Sequence, residues 1–204
     1  TASTAAAQQG RLTVEIGKLA LSSALRQDVN VGDVFVEVDL LGLVAPSQLT
    51  TKVMHKGSAP LDFQFANAVA VAPGSREQTV LREALNSRDD QESDVFFELK
   101  GVDPRGGPAK DLGSGYLNLK KIQSTGKDLR ATSVSLQGRS GEAGTLTVTL
   151  LATDVMKAAT APVEKAPDED SIRVEVGALQ LAASVRNDPE IGDVYVEVFL
   201  AGIG

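Results

Sequence analysis

The side chains of this 204-residue chain that could do chemistry are mostly carboxylates: 27 Asp and Glu stand against 20 Lys and Arg and a single His. A hard divalent cation takes about six to eight oxygen ligands, so grouped carboxylates are weighed first. The densest run is RDDQESD, residues 88–94. It suits a cation or a basic partner, and equally a solvated charged loop. Asp28 and the pair Gly32-Asp33 return later in the chain as Asp188 and Gly192-Asp193. Gly-Asp leading into a strand is a natural turn and needs no metal. Arg105, Lys110, Lys120 and Lys121 suit a lipid headgroup or an acidic partner, or are scattered surface charges. His55 has no cysteine and no second histidine with which to share a transition metal, so it reads as a surface or edge residue. Gly113-Ser114-Gly115 lacks the Lys-Ser/Thr of a phosphate loop and precedes a strand instead of a helix. No nucleophile is spaced with a general base, so no enzyme is expected and no small-molecule substrate.

These residues sit between strands that announce themselves by alternation. Leu12, Val14 and Ile16 alternate with polar neighbours, and Leu19 and Leu21 continue the apolar side. Val34, Val36 and Val38 alternate with Phe35 and Glu37. Period-2 patterning with β-branched residues predicts strands buried on one face. Further strands are expected at Gln48–Met54, Leu61–Val71, Asp94–Leu99, Tyr116–Leu119, Leu129–Leu136 and Gly144–Leu151. Pro73-Gly74 ends one of them. Ser75 is then placed as a helix N-cap with Gln78 as its capping-box partner, predicting a helix over Ser75–Asn86. Eight strands with one short inserted helix make an all-β antiparallel sandwich.

The chain repeats itself. Residues 172–204 align with residues 12–44 at an offset of 160 without a gap, and 15 of the 33 positions are identical. The best-kept positions are strand apolar residues, Glu15/Glu175, Glu37/Glu197 and the Gly-Asp turn. That pattern preserves a fold and repeats no catalytic constellation. The expected organisation is a linker at 1–9, a domain at 10–156, a Pro/Ala/charged linker at 157–170 and the first strands of a second copy at 171–204. A chain built this way reads as a piece of a longer tandem protein.

Bulk properties narrow the partners. The net charge of −7 argues against a broad nucleic-acid surface and weakens unaided binding to anionic membranes. The absence of cysteine excludes disulfides and thiolate zinc sites. No apolar run approaches the roughly 18 residues a spanning helix needs. With 4% aromatic residues and no Trp, the core must be mainly Val, Leu, Ile and Ala.

The segment DVFVEVDLLG, in which a loop Asp starts a strand, resembles the second strand of C2 domains. KDLGSGYLNL resembles the later C2 signature, an Asp, an apolar residue and Gly followed by a strand, and TLTVTLLA fits the closing strand. RLTVEIGKLALSS with DVFVEV, and IRVEVGALQLAAS with DVYVEV, are similar to the opening of the C2-like domains of the retinitis pigmentosa GTPase regulator-interacting proteins and their paralogue fantom. SREQTVLREALNS stands where that family carries a helix. The resemblance implies an eight-stranded C2-like sandwich and a non-catalytic protein-interaction module of a ciliary scaffold, cytoplasmic or cytoskeletal. Its implied partners are other scaffold or ciliary proteins.

The resemblance also supplies the calcium question. Calcium-binding C2 domains gather about five carboxylates on loops at one edge of the sandwich. Asp33 and Asp111 match two motif positions, Asp103 is what remains of the third-loop Asp-x-Asp, and Asp28 is the only neighbour for the first-loop position. This is a partial cage, so no metal and no other cofactor are expected. A calcium-dependent phospholipid-binding domain is the rival reading, and an architectural spacer on a filament or microtubule is a third.

Overall fold

The computed structural model describes residues 10–57 and 59–160. The chain divides into two compact units, Thr1–Pro162 and Val163–Gly204. The expected second copy, with Asp188 and Asp193, lies outside the described residues, as do the linker at 1–9 and residues 161–170.

Eight strands form one antiparallel sheet in the order β3-β2-β5-β6-β7-β8-β1-β4. They are β1 (Gly10–Leu21), β2 (Asp33–Asp39), β3 (Met54–His55), β4 (Leu61–Val71), β5 (Asp94–Gly101), β6 (Lys110–Asn118), β7 (Leu129–Gly138) and β8 (Gly141–Leu151). The join between β6 and β7 is a single residue pair, Ser114 with Gln137. The sheet therefore has two halves, β3-β2-β5-β6 and β7-β8-β1-β4. Their inward side chains meet in one core that includes Val36, Phe97, Leu99, Leu12, Phe63, Leu136 and Leu146.

The apolar pattern of β1 changes parity. Leu12, Val14 and Ile16 point inward, and so do Leu19 and Leu21. A bulge following Ile16 inserts the extra residue that keeps both sets on the core face.

The stretch expected as a strand at Gln48–Met54 departs from that reading. Pro46–Gln48 is a 3-10 turn, and only Met54–His55 pairs as a strand. Between them the chain lies against β2: Val38 N donates to Leu49 O at 3.0 Å and Thr51 N to Val36 O at 2.9 Å. Val36 N then bonds the Thr51 hydroxyl at 2.9 Å, so a side chain takes the donor a ladder would use.

The expected helix is present as α2 (Arg76–Asn86), with Ser75 Oγ accepting from Gln78 N at 3.2 Å. The Gln78 side chain reaches back to Gly74 N, at 2.7 Å, one residue before the expected partner. Three more helices join it: α1 (Ser23–Gln27), α3 (Leu119–Thr125) and α4 (Thr153–Thr160). The last covers the first residues of the stretch read as linker. α2, α3 and α4 bury Leu81, Leu85, Leu119, Ile122, Val155 and Met156 in the common core.

Candidate functional site

Each of the four candidate aspartates has a partner within the protein. Asp28 ends α1, and its Oδ1 accepts from Asn30 N at 2.9 Å and Asn30 Nδ2 at 3.1 Å. Lys56 Nζ donates to the Asp28 carbonyl and, at 3.3 Å, to that of Leu25. Asp33 opens β2 opposite His55 on β3, with Oδ1 2.7 Å from His55 Nδ1. His55 is exposed at the edge of the sheet.

Asp103 lies in the loop between β5 and β6, which is pinned beside Asp33: Val102 N donates to Asp33 O at 2.7 Å. Its carboxylate accepts from Arg105 N at 2.9 Å and holds Lys110 Nζ at 2.9 Å. The Arg105 amide, followed by the Lys110 ammonium, holds the Asp103 carboxyl below the usual range. Asp111 Oδ1 is 2.8 Å from Lys100 Nζ, and that ammonium lowers the Asp111 pKa in the same way. Asp103 and Asp111 thus each carry a bound ammonium, which offsets the negative charge a calcium ion would meet there. Among the described residues no group of three or more His, Cys, Asp or Glu is arranged to hold a metal.

The basic residues do not form one patch. Lys110 begins β6 and Lys120 lies in α3 beyond its far end, which is roughly 25–30 Å of extended chain. Lys120 Nζ is instead 2.7 Å from Asp90 Oδ1 and 2.8 Å from Ser87 O. The acidic run is exposed over residues 88–92, buries Ser93 and Asp94, and is tied to the end of β6. Asn118 Nδ2 donates to Asp90 O and to the buried Asp94 Oδ1, both at 2.7 Å.

Gly113 and Gly115 have a structural task at the seam between the halves. A Cβ on Gly115 would stand 2.5 Å from Ser135 O, and one on Gly113 would stand 2.6 Å from the Ala143 Cβ. Backbones approach there more closely than any side chain allows.

The arrangement that the sequence did not announce is on the outer face of β2, β5 and β6. Lys100 Nζ lies 2.8 Å from Glu98, 2.8 Å from Asp111 and 3.3 Å from Glu37. The Asp111 and Glu98 carboxylates raise the Lys100 pKa against the opposing effect of burial. Beside this cluster Phe96 and Tyr116 form a register pair with ring centroids 6.0 Å apart. The signal for this face was the outward set of Phe35, Glu37, Phe96, Glu98 and Lys100 on two alternating strands. The register that joins them could not be read from either strand alone.

The family described as retinitis pigmentosa G-protein regulator interacting C-terminal matches residues 8–161. This chain belongs to that family. The matched span begins just before β1 and ends one residue past α4. Its fold is all-β and C2-like. Among curated proteins, none matches the sequence. Solved structures similar to the domain include a C2 domain-containing protein from a putative elicitor-responsive gene, at 12% identity and a TM-score of 0.46, covering 74% of this chain and 93% of that one. The C2A domain of a plant extended synaptotagmin 1 is similar at 20% identity and a TM-score of 0.47, covering 70% of this chain and 92% of that one. No helix among the described residues is long and apolar enough to cross a membrane.

Proposed function

We propose that this chain is a non-catalytic protein-binding module of a larger scaffold with tandem C2-like domains, working at the ciliary base, transition zone or axoneme. Family membership carries the reading, since the family is described by interaction with another protein. The side-chain inventory supports it: the aspartates that calcium would need are engaged by Lys100, Lys110, His55 and Asn30. In this reading residues 171–204 open a second domain, and the Pro- and Ala-rich stretch after α4 links the two.

Affinity purification of the tagged chain from ciliated cells tests the proposal. Proteins of the ciliary base or transition zone are expected to be enriched over a core-disrupted Phe97→Asp control. Recovery of no ciliary protein above that control would remove the ciliary assignment.

A further inference from the structure

The outer face of the β2-β5-β6 half is set out in rows by its register. Asp39, Phe96 and Tyr116 form one row, Glu37, Glu98 and Ser114 the next, and Phe35, Lys100 and Asp111 the third. Adjacent strands are about 4.8 Å apart, so each row is a nearly continuous strip of side chains.

Two properties of this face are not required by the fold. First, it spends aromatic residues on solvent. The whole chain has 6 Phe and 2 Tyr, and while Phe63 and Phe97 fill the core, Phe96 and Tyr116 stand 37% and 59% exposed. Second, its charge is predominantly acidic. Glu37, Glu98 and Asp111 surround the ammonium of Lys100, which lies low among them, and Asp39 adds a fourth carboxylate, bonded to Gly42 N, against one further cation, the Arg139 guanidinium near Asp111. The Lys100 side chain is 18% exposed, against 46% for Glu98 and 80% for Asp111. Lys100 holds the carboxylates in place and leaves their outer oxygens to solvent.

Exposed aromatic faces beside carboxylates are complementary to guanidinium groups, which stack on rings and pair with carboxylates through a planar fork. We propose that this face docks an arginine-containing, partly apolar segment of a partner protein, with Phe96 and Tyr116 receiving guanidinium and apolar side chains and Glu37, Glu98 and Asp111 pairing the charge. The inference rests on the reading of the chain as a protein-binding module and adds the surface and the chemistry of the partner. Surface charge of this kind acts chiefly on encounter rate and choice of partner, with the aromatic pair as the anchor.

Fluorescence anisotropy on the full chain tests it, using a labelled peptide of about nine alternating Arg and Leu residues and a Glu-Leu peptide as the charge-reversed control, at about 50 and 300 mM salt. The Arg-Leu peptide is expected to bind, more weakly at high salt, and the Glu-Leu peptide not to bind. Tyr116→Ser, Ser114→Lys and the pair Glu98→Gln/Asp111→Asn should each weaken binding by about 10-fold or more. Asp89→Asn/Glu92→Gln, which removes the same charge away from the face, should change it by less than about 2-fold. Ser114→Lys adds a cation without removing a packed group, so its loss of binding would not reflect unfolding. Absence of Arg-Leu binding, or equal weakening by the face and control variants, would overturn the inference. If Tyr116→Ser still recovers ciliary proteins at the wild-type level, the face assignment falls and the binding-module reading stands.

Discussion

Glu37 and Glu98 stand directly opposite each other on β2 and β5, with Lys100 Nζ 3.3 Å from the first and 2.8 Å from the second. Like charges in register destabilise a sheet, and one ammonium turns this pair into an attraction. Replacing Lys100 with Met keeps the length of the stem and removes the charge. The expected cost is about 1–2 kcal/mol in urea unfolding, and adding Glu98→Gln should return part of it because the two residues are coupled. Equal stability of Lys100→Met and the parent would show the cluster to be neutral.

Stability should fall at both ends of the pH range, for opposite reasons. The Lys100 pKa is raised by Asp111 and Glu98, so its contribution is complete below its unfolded value and is lost as pH rises through the higher folded value. Asp111, Asp103 and Asp128 are depressed. Their contribution is complete above the unfolded carboxylate range of about 4 and is lost as pH falls through the lower folded values. Urea midpoints at a series of pH values between about 2.5 and 7 should therefore decline toward acid. A flat profile would contradict these assignments.

Asp128 anchors α4 from outside the helix. Its Oδ1 accepts from Ala152 N at 2.9 Å, Thr153 N at 3.0 Å and Thr153 Oγ1 at 2.7 Å. Burial pushes its carboxyl up, and the Thr153 and Ala152 donors together hold it down. Asp128→Ala should cost about 1–2 kcal/mol, as loss of a helix cap does. Amide exchange should rise first across residues 153–160.

The seam between the sheet halves depends on missing side chains. Gly115→Ala places a Cβ 2.5 Å from Ser135 O, a backbone atom that cannot turn away. It should destabilise the domain by about 2 kcal/mol or more, or leave it insoluble. Gly57→Ala, which meets nothing within 4 Å, should stay within about 0.5 kcal/mol of the parent.

Alternation made most of the strands legible, though β6 begins at Lys110, six residues before the expected strand, and Leu119 opens α3 instead of closing that strand. The expected strand at Leu61–Val71 is β4 residue for residue. Even the parity change between Ile16 and Leu19 was visible, although only the pairing shows the bulge that reconciles it. Three helices escaped because α1, α3 and α4 have 5, 7 and 8 residues, too few turns for a 3.6-residue period to stand out. The candidate aspartates were found by motif position; Asp28 and Asp103 bond locally to Asn30 and Arg105, but the partners of the other two come from other segments. Asp33 meets His55 from β3, and Asp111 meets Lys100 across β5 and β6. Such pairings depend on register, which a single strand does not carry. Gly113-Ser114-Gly115 could be excluded as a phosphate loop, while its role at the seam needed the opposing strand.

Sedimentation with vesicles of phosphatidylserine and phosphatidylcholine, with and without calcium, separates a protein-binding module from a calcium-dependent lipid binder. Calcium is expected to add no binding, and Asp33→Asn and Asp111→Asn to behave as the parent does. Calcium-stimulated sedimentation that disappears in those two variants would contradict the protein-binding reading and make the domain a calcium-dependent lipid binder.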